Sequence, residues 1–153
     1  SMIFKNCSGV MPALPATAAP EDSALLDAAD AMLGKVRAHM DVQSFHEALR
    51  CIWEVVSDAN KYVDTTAPWG LKKTDPVRMG EVLAVLAETI RQAAILVQPV
   101  MPGSASKILD QLGVADGQRG FDMLAGARRI AAGVEISKPE PVFPRFVKEE
   151  GEV

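Results

Sequence analysis

Residues 60–73, NKYVDTTAPWGLKK, hold the side chains best suited to chemistry, and the chemistry they suit is recognition. Trp69 lies between Pro68 and Gly70 where an amphipathic helix ends, an unusual place for a tryptophan meant only for the core. A large flat ring with one N–H suits stacking on a flat ligand. Lys72 and Lys73 follow within one helical turn. An aromatic face beside two cations matches what single-stranded nucleic acid offers, namely unstacked bases and phosphates. A half-buried tryptophan closing a helix end is the plainer reading, and spacing alone leaves both open.

Bond-making chemistry has no visible apparatus. The chain carries no phosphate-cradling glycine loop, nucleophile elbow, HExxH or Cys/His cluster, so no catalytic and no metal-binding residues are assigned. His39 and His46, near a helix junction, read as surface or capping residues. Glu21, Asp22, Asp27 and Asp30 read as a solvated helix face that also complements a helix N-terminus. Cys7 and Cys51 are far apart and in no metal-ligand spacing, so both are expected to be reduced, partly buried thiols in a cytoplasmic protein. A net charge of -4 supplies no global attraction to polyanions, so any nucleic-acid contact must be local. There is no signal-peptide pattern and no apolar run of the roughly 18 residues a span needs, which argues against a membrane partner.

The elements that must position the tryptophan are helices. Apolar residues make up 48% and aromatics only 5%, with Ala, Leu, Val and Met prominent, which favours helix packing over a sandwich or barrel. Residues 1–6 read as the last turns of a helix whose beginning is absent, and residues 9–20, with Pro12, Pro15 and Pro20, as an extended connector. A first full helix is predicted from Pro20, with a stripe of Leu25, Ala29, Met32, Val36 and Met40. Asp41 or a neighbour should cap the second, whose stripe is Phe45, Leu49, Ile52, Val56, Ala59 and Val63, flanked by Trp53 and Tyr62. Asp75-Pro76 opens a third, with Val82, Leu86, Ile90, Ala93 and Val97 inward. A shorter one from Pro102 carries Ala105, Ile108, Leu109 and Leu112 and stops at Gly113. The expected architecture is all-α: an antiparallel helix bundle with an extended C-terminal tail. The expected divisions are 1–20 (helix end and connector), 21–116 (bundle) and 117–153 (irregular segment and tail). Residues 121–125 are predicted to form a helical turn, residues 128–136 have no clean period, and KPEPVFPRF over 138–146 should be extended, with a frayed KEEGEV end.

Four features in order carry a family resemblance: the Asn-x-Tyr-Val helix end at Asn60, Ala-Pro-Trp ending at Trp69, Pro-x-Met-Pro ending at Pro102, and the Phe-Pro-Arg tail from Phe143. Together with ETIRQAAILVQPVMPGSASKILDQLG they make the chain, from residue 1 to about 146, resemble the C-terminal anticodon-binding domain of bacterial-type, class I methionyl-tRNA synthetase. The resemblance implies that Trp69 stacks the first base of the CAU anticodon of tRNA(Met) and that Pro68 positions it. It implies that Asp64 accepts from a base amino group or repels wrong bases. Asn60 and Tyr62 match the pattern too, with a structural role at the helix end equally open, and Lys72 and Lys73 are phosphate candidates.

By the same resemblance, the family's base-contacting Asn and Arg lie upstream of Ser1, and the catalytic domain with its HIGH-like and KMSKS-like motifs is not in this sequence. No catalytic activity is therefore expected from this chain alone. ATP with magnesium belongs to the catalytic domain, which joins methionine to tRNA and is the implied partner within a longer chain, the VFPRF tail folding back upon it. A monomer is expected, since the dimerising tRNA-binding domain of some members does not follow. The competing reading is a helical protein-interaction domain that docks a partner through an apolar face. Recognition of RNA predicts an exposed Trp69 beside its lysines; docking predicts Trp69 inside a contiguous apolar patch.

Overall fold

Proline marks where four of the helices begin. Pro20, Pro68, Pro76 and Pro102 each occupy a first helical position, where the missing N–H has no intrahelical partner to lose. A computed structural model describes residues 2–124 and 128–144. After a short α1 (Met2–Asn6), two long helices, α2 (Pro20–Asp41) and α3 (Phe45–Thr66), form an antiparallel hairpin. The chain passes through α4 (Pro68–Thr74) into α5 (Pro76–Val97), which packs on α2, α3 and α4, and returns along it as α6 (Pro102–Gln111). Two single-turn helices, Asp116–Gln118 and Phe121–Leu124, follow. The all-α bundle is the architecture expected from sequence.

Its centre differs from the expected one. Helix α5 is buried on nearly every side, including Glu88, Thr89, Arg91 and Gln92, while Leu86 is only half-buried and Ile90 is 44% exposed. Of the predicted stripe, Val82, Ala93 and Val97 are buried while Leu86 and Ile90 turn outward, because an all-round apolar helix has no unique face. On α3 the buried residues are Ala48, Cys51, Ile52, Val55, Ala59 and Tyr62, a seam turned by about one residue from the predicted stripe. Phe45, placed inward by periodicity, is 57% exposed. Asp41 is the last residue of α2 and no cap; Ser44 takes the cap position of α3, its carbonyl accepting from the Ala48 N–H at 3.1 Å. Cys51 is buried and Cys7 half-buried, both free, and burial pushes the Cys7 thiol up.

The segment without a period has a backbone role. Residues 133–136 lie against the connector, with an antiparallel bridge between Val10 and Glu135. Met11 N–H donates to Val134 O (2.8 Å), Gly133 N–H to Met11 O (2.9 Å) and Ile136 N–H to Gly9 O (2.8 Å). Of the predicted turn at 121–125, the first four residues form it and Ala125 lies outside the described residues. In the tail, Glu140 O accepts from Gln111 Nε2 at 2.8 Å, whereas Arg145, Phe146 and the KEEGEV end lie outside the described residues.

Side chains fix this segment from beneath. Glu88, fully buried, accepts from Arg91 Nε (2.9 Å) and Nη2 (2.8 Å), from Gln92 Nε2 (2.9 Å) and from the Ile130 backbone N–H (2.8 Å). Arg129 forks onto Asp30 at 2.5 and 2.6 Å, and Gln92 reaches the same carboxylate. Asp30, on the solvated face as expected, is also a fastening point between α2 and the C-terminal segment.

Gly113 ends α6 at φ +70, and a Cβ there would meet Val134 Cγ1 at 2.6 Å and Glu135 O at 2.8 Å. Both the left-handed backbone and the collision oppose any side chain. Gly113→Ala is expected to lower stability by about 2–4 kcal/mol, read as a lower urea midpoint at unchanged slope. Gly34→Ala in the interior of α2, where a Cβ meets nothing within 4 Å, should leave the midpoint equal or raise it.

Candidate nucleic-acid interface

The turn between α3 and α5 is built by local chemistry. Near its end α3 carries two threonines whose hydroxyls donate back into it, Thr65 to Lys61 O (2.9 Å) and Thr66 to Tyr62 O (2.7 Å). Ala67 precedes a proline, which disfavours the right-handed helical region, and it takes φ 41, ψ 60 instead. A non-glycine residue in that region carries strain of about 1–2 kcal/mol. The kink terminates α3 and starts α4 at once: Ala67 N–H donates to Val63 O and Ala67 O accepts from Gly70 N–H. The sequence had placed Pro68-Trp69 at the end of a helix; they begin a separate one. The signal was there, a first-position proline with no breaker until Asp75, but Gly70 masked it.

On α4, Pro68 is buried and Leu71 packs against the core, while Trp69 stands 58% exposed. Lys72 and Lys73, three and four residues on, share its face and are exposed. Asn60 and Asp64 are exposed one turn apart on α3. Among the described residues neither lysine nor Asp64 is in an ion pair. Five of the six residues singled out from sequence are thus at the surface, and Pro68 lies beneath them.

An apolar groove adjoins this surface at Asn60 but does not include Trp69. A hollow of about 370 Å³ runs between α3 and α5, lined by Trp53, Val56, Val63, Leu86, Ile90 and Phe143, and the exposed tryptophan in it is Trp53.

Beneath the turn lies a cluster that the sequence did not reveal. Asp22, expected on a solvated face, is fully buried. Its carboxylate accepts from the Tyr62 hydroxyl (2.6 Å), from both Arg78 terminal nitrogens (2.6 and 2.7 Å) and from the Ala19 N–H (3.1 Å). Burial by itself raises the Asp22 carboxyl, but the Arg78 guanidinium, the Tyr62 hydroxyl and the Ala19 N–H outweigh it and hold the group below the usual carboxylate range. Tyr62 is pushed well above the ordinary phenol range by burial and by donating to Asp22, and Arg78 is pushed up chiefly by its bonds to Asp22. The partners are 40 and 56 positions apart, so only a tyrosine on an otherwise apolar seam hinted at them.

A family profile described as the anticodon binding domain of methionyl tRNA ligase matches residues 12–153. The methionine–tRNA ligase of Rhizobium meliloti (strain 1021) is 48% identical over 150 residues, covering 98% of this chain and 29% of that protein. That of Brucella suis biovar 1 (strain 1330) is 48% identical over 149 residues, covering 97% of this chain and 28% of that protein. Among solved structures, apo Mycobacterium tuberculosis methionyl-tRNA synthetase superposes with a TM-score of 0.91 at 43% identity, over 97% of this chain and 30% of that one. The same enzyme bound by methionyl-adenylate gives 0.90, over 94% and 29%. This chain therefore spans under a third of the length of these relatives.

Proposed function

Because the chain belongs to the family of anticodon binding domains of methionyl tRNA ligases, we propose that it holds the CAU anticodon loop of tRNA(Met) on α4. The observation that carries this reading is Trp69, exposed on α4 with Lys72 and Lys73 on the same face. A splayed base stacks on the indole while the ammonium groups meet the phosphates of its strand. Pro68, buried, holds the base of the platform, and Asp64 and Asn60 offer an acceptor and an amide to base edges from α3. The acceptor Asp64 favours a base that presents an amino group, as cytosine does, and repels one that presents a carbonyl there.

Within a longer ligase, this recognition places the acceptor end of the tRNA at the catalytic domain, where methionine is joined to it at the expense of ATP. ATP with magnesium is expected at that catalytic domain. That chemistry is assigned to the catalytic domain, and no step of it runs through this chain. Among the described residues no helix is long and apolar enough to cross a membrane, and a monomer working in the cytoplasm fits the reading. Docking of a partner protein through Trp69 is not favoured, since that residue stands outside the α3–α5 groove.

The test is a fluorescence titration of a CAU stem-loop, with a GAU loop as control, at low and moderate salt. It is run on a Trp53→Phe background so that Trp69 alone reports. Quenching should favour CAU, and Trp69→Ala should cost about 1–3 kcal/mol of binding, read as affinity by filter binding because the fluorophore is gone. Equal affinity for CAU and GAU, both in this chain and in a full-length ligase carrying it, would reject the assignment.

A further inference from the structure

We propose that the buried Asp22–Tyr62–Arg78 cluster sets the angle at which Trp69 is presented, making Tyr62 and Arg78 positioning residues for anticodon reading; this rests on the function proposed above. The segment carrying Trp69 is short and packs on α5. Helix α4 has 7 residues, buries Pro68 fully and Leu71 in part, and hangs from a left-handed alanine. Each of its two attachments leads to the same carboxylate. On the α3 side, Tyr62 takes the Thr66 hydroxyl on its carbonyl (2.7 Å) and donates its phenol to Asp22 Oδ1 (2.6 Å). On the α5 side, the Arg78 N–H donates to the Asp75 side chain (3.0 Å), and its guanidinium forks onto Asp22.

Asp22 thus joins the helix before the platform to the helix after it, from a third helix. Glu81 (3.3 Å) and Glu21 (3.5 Å) complete the ring of carboxylates around Arg78 and fix the guanidinium further. A buried ion pair is a poor source of stability compared with apolar residues of equal volume, but it admits few geometries. A stacking platform needs that restriction, because the overlap of indole and base is lost within small rotations.

Tyr62→Phe removes one hydrogen bond and keeps the ring. In the Trp53→Phe background it is expected to remain folded by circular dichroism, to lower the CAU-over-GAU affinity ratio about 5-fold, near the lower end of one stacked base, and to lower the fluorescence anisotropy of Trp69. Gly113→Ala serves as the control: its added Cβ would meet Val134 and Glu135 and nothing of the Asp22 cluster or α4, so it should destabilise the fold yet keep both the ratio and the anisotropy. An unchanged ratio and anisotropy in Tyr62→Phe would overturn the inference while leaving the anticodon assignment standing. So would an equal loss in Gly113→Ala, which would assign the effect to general destabilisation. A parent chain without CAU preference would overturn the assignment and this inference together.

Discussion

Replacing Glu88 with alanine is expected to destabilise the fold by about 3–5 kcal/mol, because it strands a buried guanidinium without its counter-charge. Arg91 is 5% exposed and spends its Nε and one Nη2 bond on Glu88, so water has little access to replace the lost carboxylate. The Ile130 N–H and one Gln92 partner go with it. The loss should appear in urea unfolding as a lower midpoint, and in limited proteolysis as faster cleavage between 128 and 136, where Glu88 holds Ile130. The double variant Glu88→Leu/Arg91→Met tests the cause. If the damage comes from an uncompensated charge, removing both partners recovers most of the stability; if it comes from lost packing, the double variant is worse than the single.

Asp22→Ala should cost about 3 kcal/mol at neutral pH, near the low end for a broken buried pair because Arg78 retains Glu21 and Glu81 and some contact with water. Its pH dependence identifies the group responsible. The Asp22 carboxyl lies lower when folded than in the unfolded chain, where it titrates near ~3.9. Below that value the unfolded chain takes up the proton first. The contribution is therefore complete above it and is lost as pH falls through the folded value. Tyr62 is the opposite case: its folded phenol lies above the unfolded value of ~10, so its contribution is present below that and fades as pH rises through the folded one. Stability measured against pH should lose part of its acid limb in Asp22→Asn and part of its alkaline limb in Tyr62→Phe. Unaltered limbs in both would show that the cluster does not titrate with folding.

What reached the surface of the fold was largely legible beforehand. Trp69, Lys72 and Lys73 share a helical face because residues three and four apart must, and Pro68 is fixed beside Trp69 by a peptide bond. The one local misreading there, a helix end where a helix begins, came from weighting Gly70 as a breaker above Pro68 as a starter. Buried polar residues were not legible. Asp22 and Asp30 have the same composition of neighbours as Glu21 and Asp27, yet Asp22 is fully buried and Asp30, at the surface, fastens Arg129, while Glu21 stays half in water. Nothing within a few positions of Asp22 announces Tyr62 or Arg78. The stripes on α3 and α5 were right only in part for a related reason: periodicity identifies apolar faces, but which face is innermost depends on what packs there.

The sequence by itself determined the long helices, the proline starts at Pro20, Pro76 and Pro102, the bundle class and the makeup of the Trp69 surface, which follow mainly from interactions within about four residues. Only the tertiary structure decided that α5 is the centre, that 133–136 pairs with the connector, and that Asp22 and Glu88 are buried clasps. Each of those depends on groups 40 or more positions apart, and the free energy of bringing them together is set by everything packed around them.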